Sequence, residues 1–263
     1  MMQLRKLGTL AGASALFLGS GCVDLDVTNP NNPDIERALA SPEDVKALAV
    51  STVNEWFITS TYNEPYLAFQ VTADAQTSSA GNFGMRFNNL EPRTAYANNS
   101  AGGDREVARR PWDWNYGTLG SSNDVLRAFS GGIKLPTPAE TDAHLAVARF
   151  TQAASMMNLA LIFDKAFVVT EETPVGAALE LEGYQAVSTA AMAMWDKAIA
   201  ASAGKSYQFG SDLIPVSGDV PTLALFNRVA NTMAAMTLAY TPRTAAESDQ
   251  VAWNRVLGYA EKG

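Results

Sequence analysis

The chain predicts an all-α protein built from helical hairpins. Three observations carry that expectation. Capping motifs recur just before stretches with helical apolar spacing, glycines and prolines punctuate those stretches, and no segment shows a convincing alternating strand pattern. The first helix opens at Ser41-Pro42-Glu43-Asp44. Ser41 suits the N-cap and Pro42 the first helical position; Asp44 stands where a capping box usually has Glu or Gln. Val45, Leu48, Ala49, Thr52, Val53 and Trp56 follow at helical spacing. A second, less regular helix is expected over about 65–76. Residues 77–111 change character, being rich in Ser, Asn, Gly and Arg with Phe83, Phe87 and Tyr96 among them. They predict one long irregular loop, a kind of segment that is usually functional or disordered.

Trp112, Tyr116, Leu119 and Asn123 then share one helix face, and Gly131-Gly132 and Pro136 end that element. Thr137-Pro138-Ala139-Glu140 is a full capping box opening a long Ala-rich helix to about Phe163. The next helix carries Tyr184, Val187, Ala191, Met194, Trp195 and Ala198 on one face, with Gly204 placed to stop it. After a turn-rich connection over 205–220, a helix runs from Thr222 to about Tyr240, before Pro242. Thr244-Ala-Ala-Glu247 caps a final helix through Trp253, Val256, Leu257 and Ala260. Segments 139–163 with 183–203, and 222–240 with 247–262, read as two hairpins. Their contact faces mix small residues (Ala154, Ala191, Ala234) with large ones (Tyr184, Trp195, Tyr240, Trp253). That is a tetratricopeptide-like architecture without a strict repeat consensus.

The N-terminus sets the expected compartment. Arg5 and Lys6 precede an apolar, small-residue stretch, Leu7 to Gly19, and then Ser20-Gly21-Cys22. This is the pattern of an export leader with a small-residue cleavage site, too short to be a stop-transfer helix. Cys22 is the only cysteine, so it cannot form an intramolecular disulfide. Behind a cleavable leader it reads as the lipid acceptor of a bacterial lipoprotein. The usual Leu three residues before the cysteine is replaced by Gly19, with Leu18 one further back. The alternative is an ordinary secreted protein with an incidental thiol. The expected organisation is a leader over 1–21, a Pro/Asn-rich tether over 22–40 and a helical domain over 41–263. Later apolar runs are interrupted by polar residues short of a span.

Removing 21 of the 263 residues leaves 242, enough for a real core. The leader takes two cations and no acid with it, so the formal charge moves from −8 to −10. An acidic surface repels phosphate backbones, which argues against nucleic acid as a partner. With one Cys and one His, a metal site built on those residues is not expected, and no cofactor motif is present. His144 lies in an apolar helix pattern and reads as a satisfied structural histidine. There is no Gly-x-Ser-x-Gly, His-Glu-x-x-His or P-loop, and nothing marks out a pair of carboxylates, so an enzyme is not expected.

Taken in order, these signatures resemble the N-terminal part of the SusD/RagB family of outer-membrane lipoproteins. A lipid-type cysteine is followed by Asp24-Leu25-Asp26 and the tether. Then come the Trp112-x3-Tyr116-x2-Leu119-x3-Asn123 helix, Asn158-Leu159 with Phe163-Asp164, and Trp253-x2-Val256-Leu257-x-Tyr259-Ala260. One departure is Phe163-Asp164-Lys165-Ala166-Phe167, where the family often has Gly-Asp-Val-Pro. The resemblance implies a tetratricopeptide-like scaffold, a chain that is the N-terminal portion of a longer type, and a location on the outer membrane facing the cell surface. It implies binding of a glycan or other nutrient, with a TonB-dependent transporter as partner and no chemistry. Sugar recognition needs aromatic faces for a pyranose and amide, carboxylate or guanidinium groups for its hydroxyls. The loop supplies that mixture in Asn82, Phe83, Arg86, Phe87, Asn88 and Tyr96; the competing role for these rings is to pin the loop to the scaffold. The alternative function is a helical-repeat envelope scaffold that binds only proteins.

Overall fold

Eight α-helices make up most of the described residues, and short-range signals set most of their ends. The computed structural model describes residues 39–62, 64–77, 91, 99, 105–214 and 220–263. The leader, Cys22 and most of the tether lie outside them. Helix α1 (Pro42–Phe57) starts where Ser41 Oγ accepts the Asp44 amide at 3.3 Å. A π-helical turn, Ile58–Tyr62, and α2 (Glu64–Thr72) follow. After α3 (Arg105–Ser130), Thr137 Oγ1 accepts the Glu140 amide at 3.1 Å to open α4 (Pro138–Ile162). The Glu140 carboxylate does not complete the expected box; it pairs with Lys46 of α1 at 2.7 Å.

The only strand among the described residues is a two-residue antiparallel pair, β1 (Lys165–Ala166) with β2 (Glu182–Gly183). Helix α5 (Tyr184–Ser202) ends before Gly204, whose φ of 68° suits a residue without Cβ. Helix α6 (Leu223–Tyr240) is capped by Thr222. Helices α7 (Ala245–Ser248) and α8 (Trp253–Ala260) close the chain.

Helix α4 is the centre. It packs on α1 and α3, and also on α5 and α6. By length and composition α4 would reach across a membrane, which amends the reading that no later run would. It is instead the buried core helix of the bundle, 72% of that apolar window being inside. Val187, Ala191, Met194, Trp195 and Ala198 of α5 are all buried, as their spacing predicts. Phe150 of α4 joins the rings of Trp56, Trp195 and Phe226, at centroid distances of 5.1 to 5.2 Å.

A polar seam runs through the α1–α3–α4 junction. Ser122 and Thr151 hydroxyls meet at 2.8 Å, and Asn158 Nδ2 donates to Asn115 Oδ1 at 3.1 Å. Seven residues forward on α3 match seven backward on α4, so the two helices are antiparallel and in register. Thr151 also donates to Thr52, and Asn158 to Ser60. Here eight residues along α1 and the π turn match seven of α4. The wider π turn absorbs the extra residue, which brings Ser60 round to Asn158.

Loop 167–181 is fastened by long-range bonds. Tyr116 donates its hydroxyl proton to Phe167 O at 2.9 Å and accepts the Phe167 amide at 2.6 Å. Arg127 of α3 donates to the carbonyls of Thr170, Glu171 and Thr173. The Glu171 carboxylate, 8% exposed, takes bonds from Arg149 at 2.6 Å, Gln152 at 2.8 Å and Lys197 at 3.1 Å.

Several expectations change. The long irregular segment ends earlier than Pro111, because α3 begins at Arg105. Glu106 holds Arg109 at i+3 and Arg110 at i+4, and these pairs support helix ahead of the proline. The second helix stops at Thr72 rather than near Gln76. The 205–220 connection is more than a turn, since Tyr207, Phe209, Leu213 and Ile214 are buried in the main core. Thr244 caps α7 only; the chain breaks before Trp253, so the final helix is two. Tyr240 and Trp253, expected inside the hairpin contact, are 62% and 50% exposed. Helix α8 does lie against α6 in the expected hairpin, and its Tyr259 and Arg255 reach across to Asp196 of α5. His144 is buried but only half satisfied. Its Nδ1–H donates to Glu140 O at 2.7 Å, while Nε2 has no partner among the described residues. Burial pushes the imidazole below its ordinary pKa and keeps it neutral.

Candidate functional site

A cleft of about 380 Å³ opens between the end of α1, the π turn and α3. Glu55, Ile58 and Thr59 form one wall; Asp113, Trp114, Gly117 and Ser121 form the other. The α3 residues fall at i, i+1, i+4 and i+8, which is one face of that helix. Gly117 carries no side chain and faces open space, so the cleft reaches down towards the helix backbone. The opposite wall turns where Thr59 Oγ1 donates to Glu55 O at 2.7 Å, at the passage from α1 into the π turn. π-helical turns concentrate at functional positions.

The charges around the cleft are mostly spent on each other. Arg109 donates to Asp113 at 2.9 Å and to Glu106 at 2.7 Å. Arg110 reaches Glu106 at 3.3 Å, and its guanidinium lies 5.6 Å from the Trp114 ring centroid. Arg109 above all pulls the Glu106 carboxyl down to about 2. Glu55 behaves in the opposite way. Glu55 is exposed, yet nearby protein atoms push its carboxyl above the ordinary value, and among the described residues no counter-charge offsets that.

This arrangement can hold a ligand that is flat and apolar on one side and polar on the other. The indole supplies a ring face; Thr59, Ser121 and the carboxylates supply hydrogen-bonding groups. The volume falls within the range of small-ligand pockets. A second cavity, about 160 Å³, lies between α1, α4 and α6 against Trp56, Phe150 and Phe226. Its lining is apolar apart from Thr151, so it has little with which to orient a hydroxyl-rich ligand. Among the described residues no group of three His, Cys, Asp or Glu converges to hold a metal ion.

The sequence-derived ligand residues Asn82, Phe83, Arg86, Phe87, Asn88 and Tyr96 lie outside the described residues. The lipid-attachment candidate Cys22 does too. Their segment rejoins the described chain at Arg105, nine residues and about 14 Å along α3 from Trp114. Trp112 and Tyr116 are half-buried and pack against the main core, in keeping with the structural role expected of them. Trp112 meets Phe163 and Phe167 edge to face, at centroid distances of 5.1 and 6.0 Å. Burial pushes the Tyr116 hydroxyl up to about 12.

Trp114 and Glu55 were missed by sequence reasoning, which followed the apolar face of α3. A signal was present: Trp114 sits two positions from Trp112, about 200° round the helix, among Arg110, Asp113 and Gly117. A large ring on a polar face is the informative exception. Fold and cleft together define an all-α scaffold with a tryptophan-and-carboxylate cleft. The chain matches no family model, no curated protein and no solved structure.

Proposed function

We propose that this chain is a cell-surface lipoprotein of the SusD/RagB type. It binds a nutrient, a glycan foremost, and works with a TonB-dependent outer-membrane transporter. The observation that supports this most is the Trp114 cleft, which pairs an aromatic face with hydroxyl and carboxylate groups on an all-α scaffold. The ordered family-like signatures and the lipoprotein leader support it independently. In this reading the helical hairpins are tetratricopeptide-like support, and the Asn82–Tyr96 segment adds ligand contacts to those of the cleft. The protein acts by binding and not as an enzyme.

Trp114→Ala is expected to weaken oligosaccharide binding by about 5- to 150-fold while leaving the helical circular dichroism spectrum unchanged. Base–aromatic and sugar–aromatic stacking are both face contacts, and a single ring of this kind contributes about 1–3 kcal/mol. Isothermal titration against a glycan panel reads the effect. Unaltered affinity in the variant places the site elsewhere.

The anchor has its own test. Cys22→Ser is expected to abolish incorporation of an alkyne fatty acid during growth and to leave the protein unanchored or uncleaved. Labelling that persists in the variant rejects the lipoprotein assignment.

A second reading, a scaffold that binds only proteins, has one observation in its favour. Tyr240, Trp253 and Leu257 expose 50 to 62% of their surface along α6 and α8. Exposed apolar patches commonly mark protein contacts. A pull-down that recovers envelope proteins, from a chain that binds no glycan, would favour it.

A further inference from the structure

Helix α1 serves two concave sites of opposite character. Glu55, Ile58 and Thr59 belong to the cleft, while Val53 and Trp56 line the cavity of about 160 Å³ shared with α4 and α6. No lining residue of that cavity carries a charge, and its wall presents no polar surface. The Thr151 hydroxyl is already held by Thr52 at 3.1 Å and Ser122 at 2.8 Å, which leaves it no free proton for a ligand. A water molecule needs two to four polar partners, and this wall supplies none. Three rings shape the site. Phe150 stands edge-on to Trp56 at 5.2 Å and tilted to Phe226 at 5.1 Å. Phe150, Phe226, Val147 and Ile214 are at most 8% exposed, so close packing fixes the shape. Leu225, also in the lining, is 46% exposed and marks the way in from solvent.

We propose that this cavity is a second ligand site, separate from the Trp114 cleft, and that it takes one small uncharged aromatic ring of benzene or toluene size. The volume sets the size: an apolar cavity of about 150 Å³ stays dry and takes up benzene. The wall sets the class. A sugar would bury hydroxyls with no partner, whereas a hydrocarbon ring displaces poorly held water and has no polar group to leave unpaired. The rings set the preference for an aromatic guest, which adds edge or tilted contacts to Trp56, Phe150 and Phe226 at the centroid spacing of about 4.5–7 Å that such pairs favour.

The test uses the full chain, with toluene and glucose as probes. Toluene is expected to bind with a dissociation constant on the order of 0.1–1 mM, in proportion to its few heavy atoms. At ten times that constant it should raise the unfolding midpoint by about 3–5 °C. Methyl NMR places the site: the Val147, Val229 and Ile214 methyls should shift on titration while Ile58 of the cleft does not. Glucose should move none of the three. Val229→Phe is designed to fill the cavity, and the folded variant should lose the toluene response. Leu225→Trp, at the half-exposed mouth, repeats that test if the first variant does not fold. Cavity methyls that stay still at saturating toluene overturn the proposal, as do shifts that Ile58 shares equally. A folded Val229→Phe or Leu225→Trp that responds like the parent also overturns it. Glucose moving the same methyls as toluene overturns the apolar class of ligand. None of these outcomes bears on the glycan reading of the Trp114 cleft.

Discussion

Trp195→Ala is expected to lower the unfolding free energy by about 3–5 kcal/mol, the cost of emptying a large fully buried aromatic site. Trp195 has no exposed surface and packs where α4, α5 and α6 meet. Its ring stands edge-on to Phe150 at 5.1 Å, and its Nε1–H donates to Thr237 Oγ1 at 3.0 Å. Thr237 also bonds to Met233 O, so its hydroxyl keeps one partner when the indole goes. The loss should therefore come mainly from packing. Trp195→Phe separates the two terms: it retains most of the ring, and its loss of the N–H bond should cost about 1 kcal/mol. Urea unfolding measures both variants. A midpoint for Trp195→Ala indistinguishable from the parent would contradict the burial.

Glu171→Gln is expected to cost about 3–5 kcal/mol at neutral pH, because it leaves Arg149 without its anion. Arg149 is 18% exposed at the side chain and Glu171 is 8% exposed. Burial by itself would raise the Glu171 carboxyl. Bonds from Arg149, Gln152, its own backbone amide and Lys197 outweigh that and hold it at about 2, against an ordinary 4.5. The folded state therefore binds this proton less readily than the unfolded chain. Stability from Glu171, about 3 kcal/mol, is present in full above pH 4.5 and is lost as pH falls towards 2. Between those values the parent should lose stability faster than Glu171→Gln does. Denaturant titrations of both proteins at neutral pH and at pH 3 read that difference. Parallel losses would place the acid sensitivity elsewhere. Loop 167–181 should also loosen in the variant, since Glu171 is its one side chain tied to both α4 and α5.

The two substitutions differ in how legible they were. Trp195 follows Val187 and Ala191 at helical spacing and precedes Ala198, so the buried face of α5 could be read from periodicity. Glu171 sits in a stretch with no periodic pattern. Its partners lie 22 and 26 residues away in opposite directions along the chain. Nothing local distinguishes it from Glu172 beside it, which is solvent-facing. The cleft shows the same division. Trp114 carried a weak local signal as a ring on a polar helix face. Glu55 carried none, because its significance depends on α3 lying alongside α1 and on where the arginines go.

By itself the sequence determined the helical class, the helix starts at Ser41, Thr137, Thr222 and Thr244, and the inward face of α5. Caps span three or four residues and apolar faces repeat every turn, so both are written within a short window. Only the tertiary structure decided that α8 reaches Asp196 of α5 through Tyr259 and Arg255 while Trp253 stays half exposed, that Glu171 gathers Arg149 and Lys197, and that Glu55 is the cleft carboxylate without a partner among the described residues. Those outcomes depend on which charges and surfaces meet across tens of residues. Burial and pairing energies are properties of the assembled neighbourhood, not of the segment that supplies the side chain.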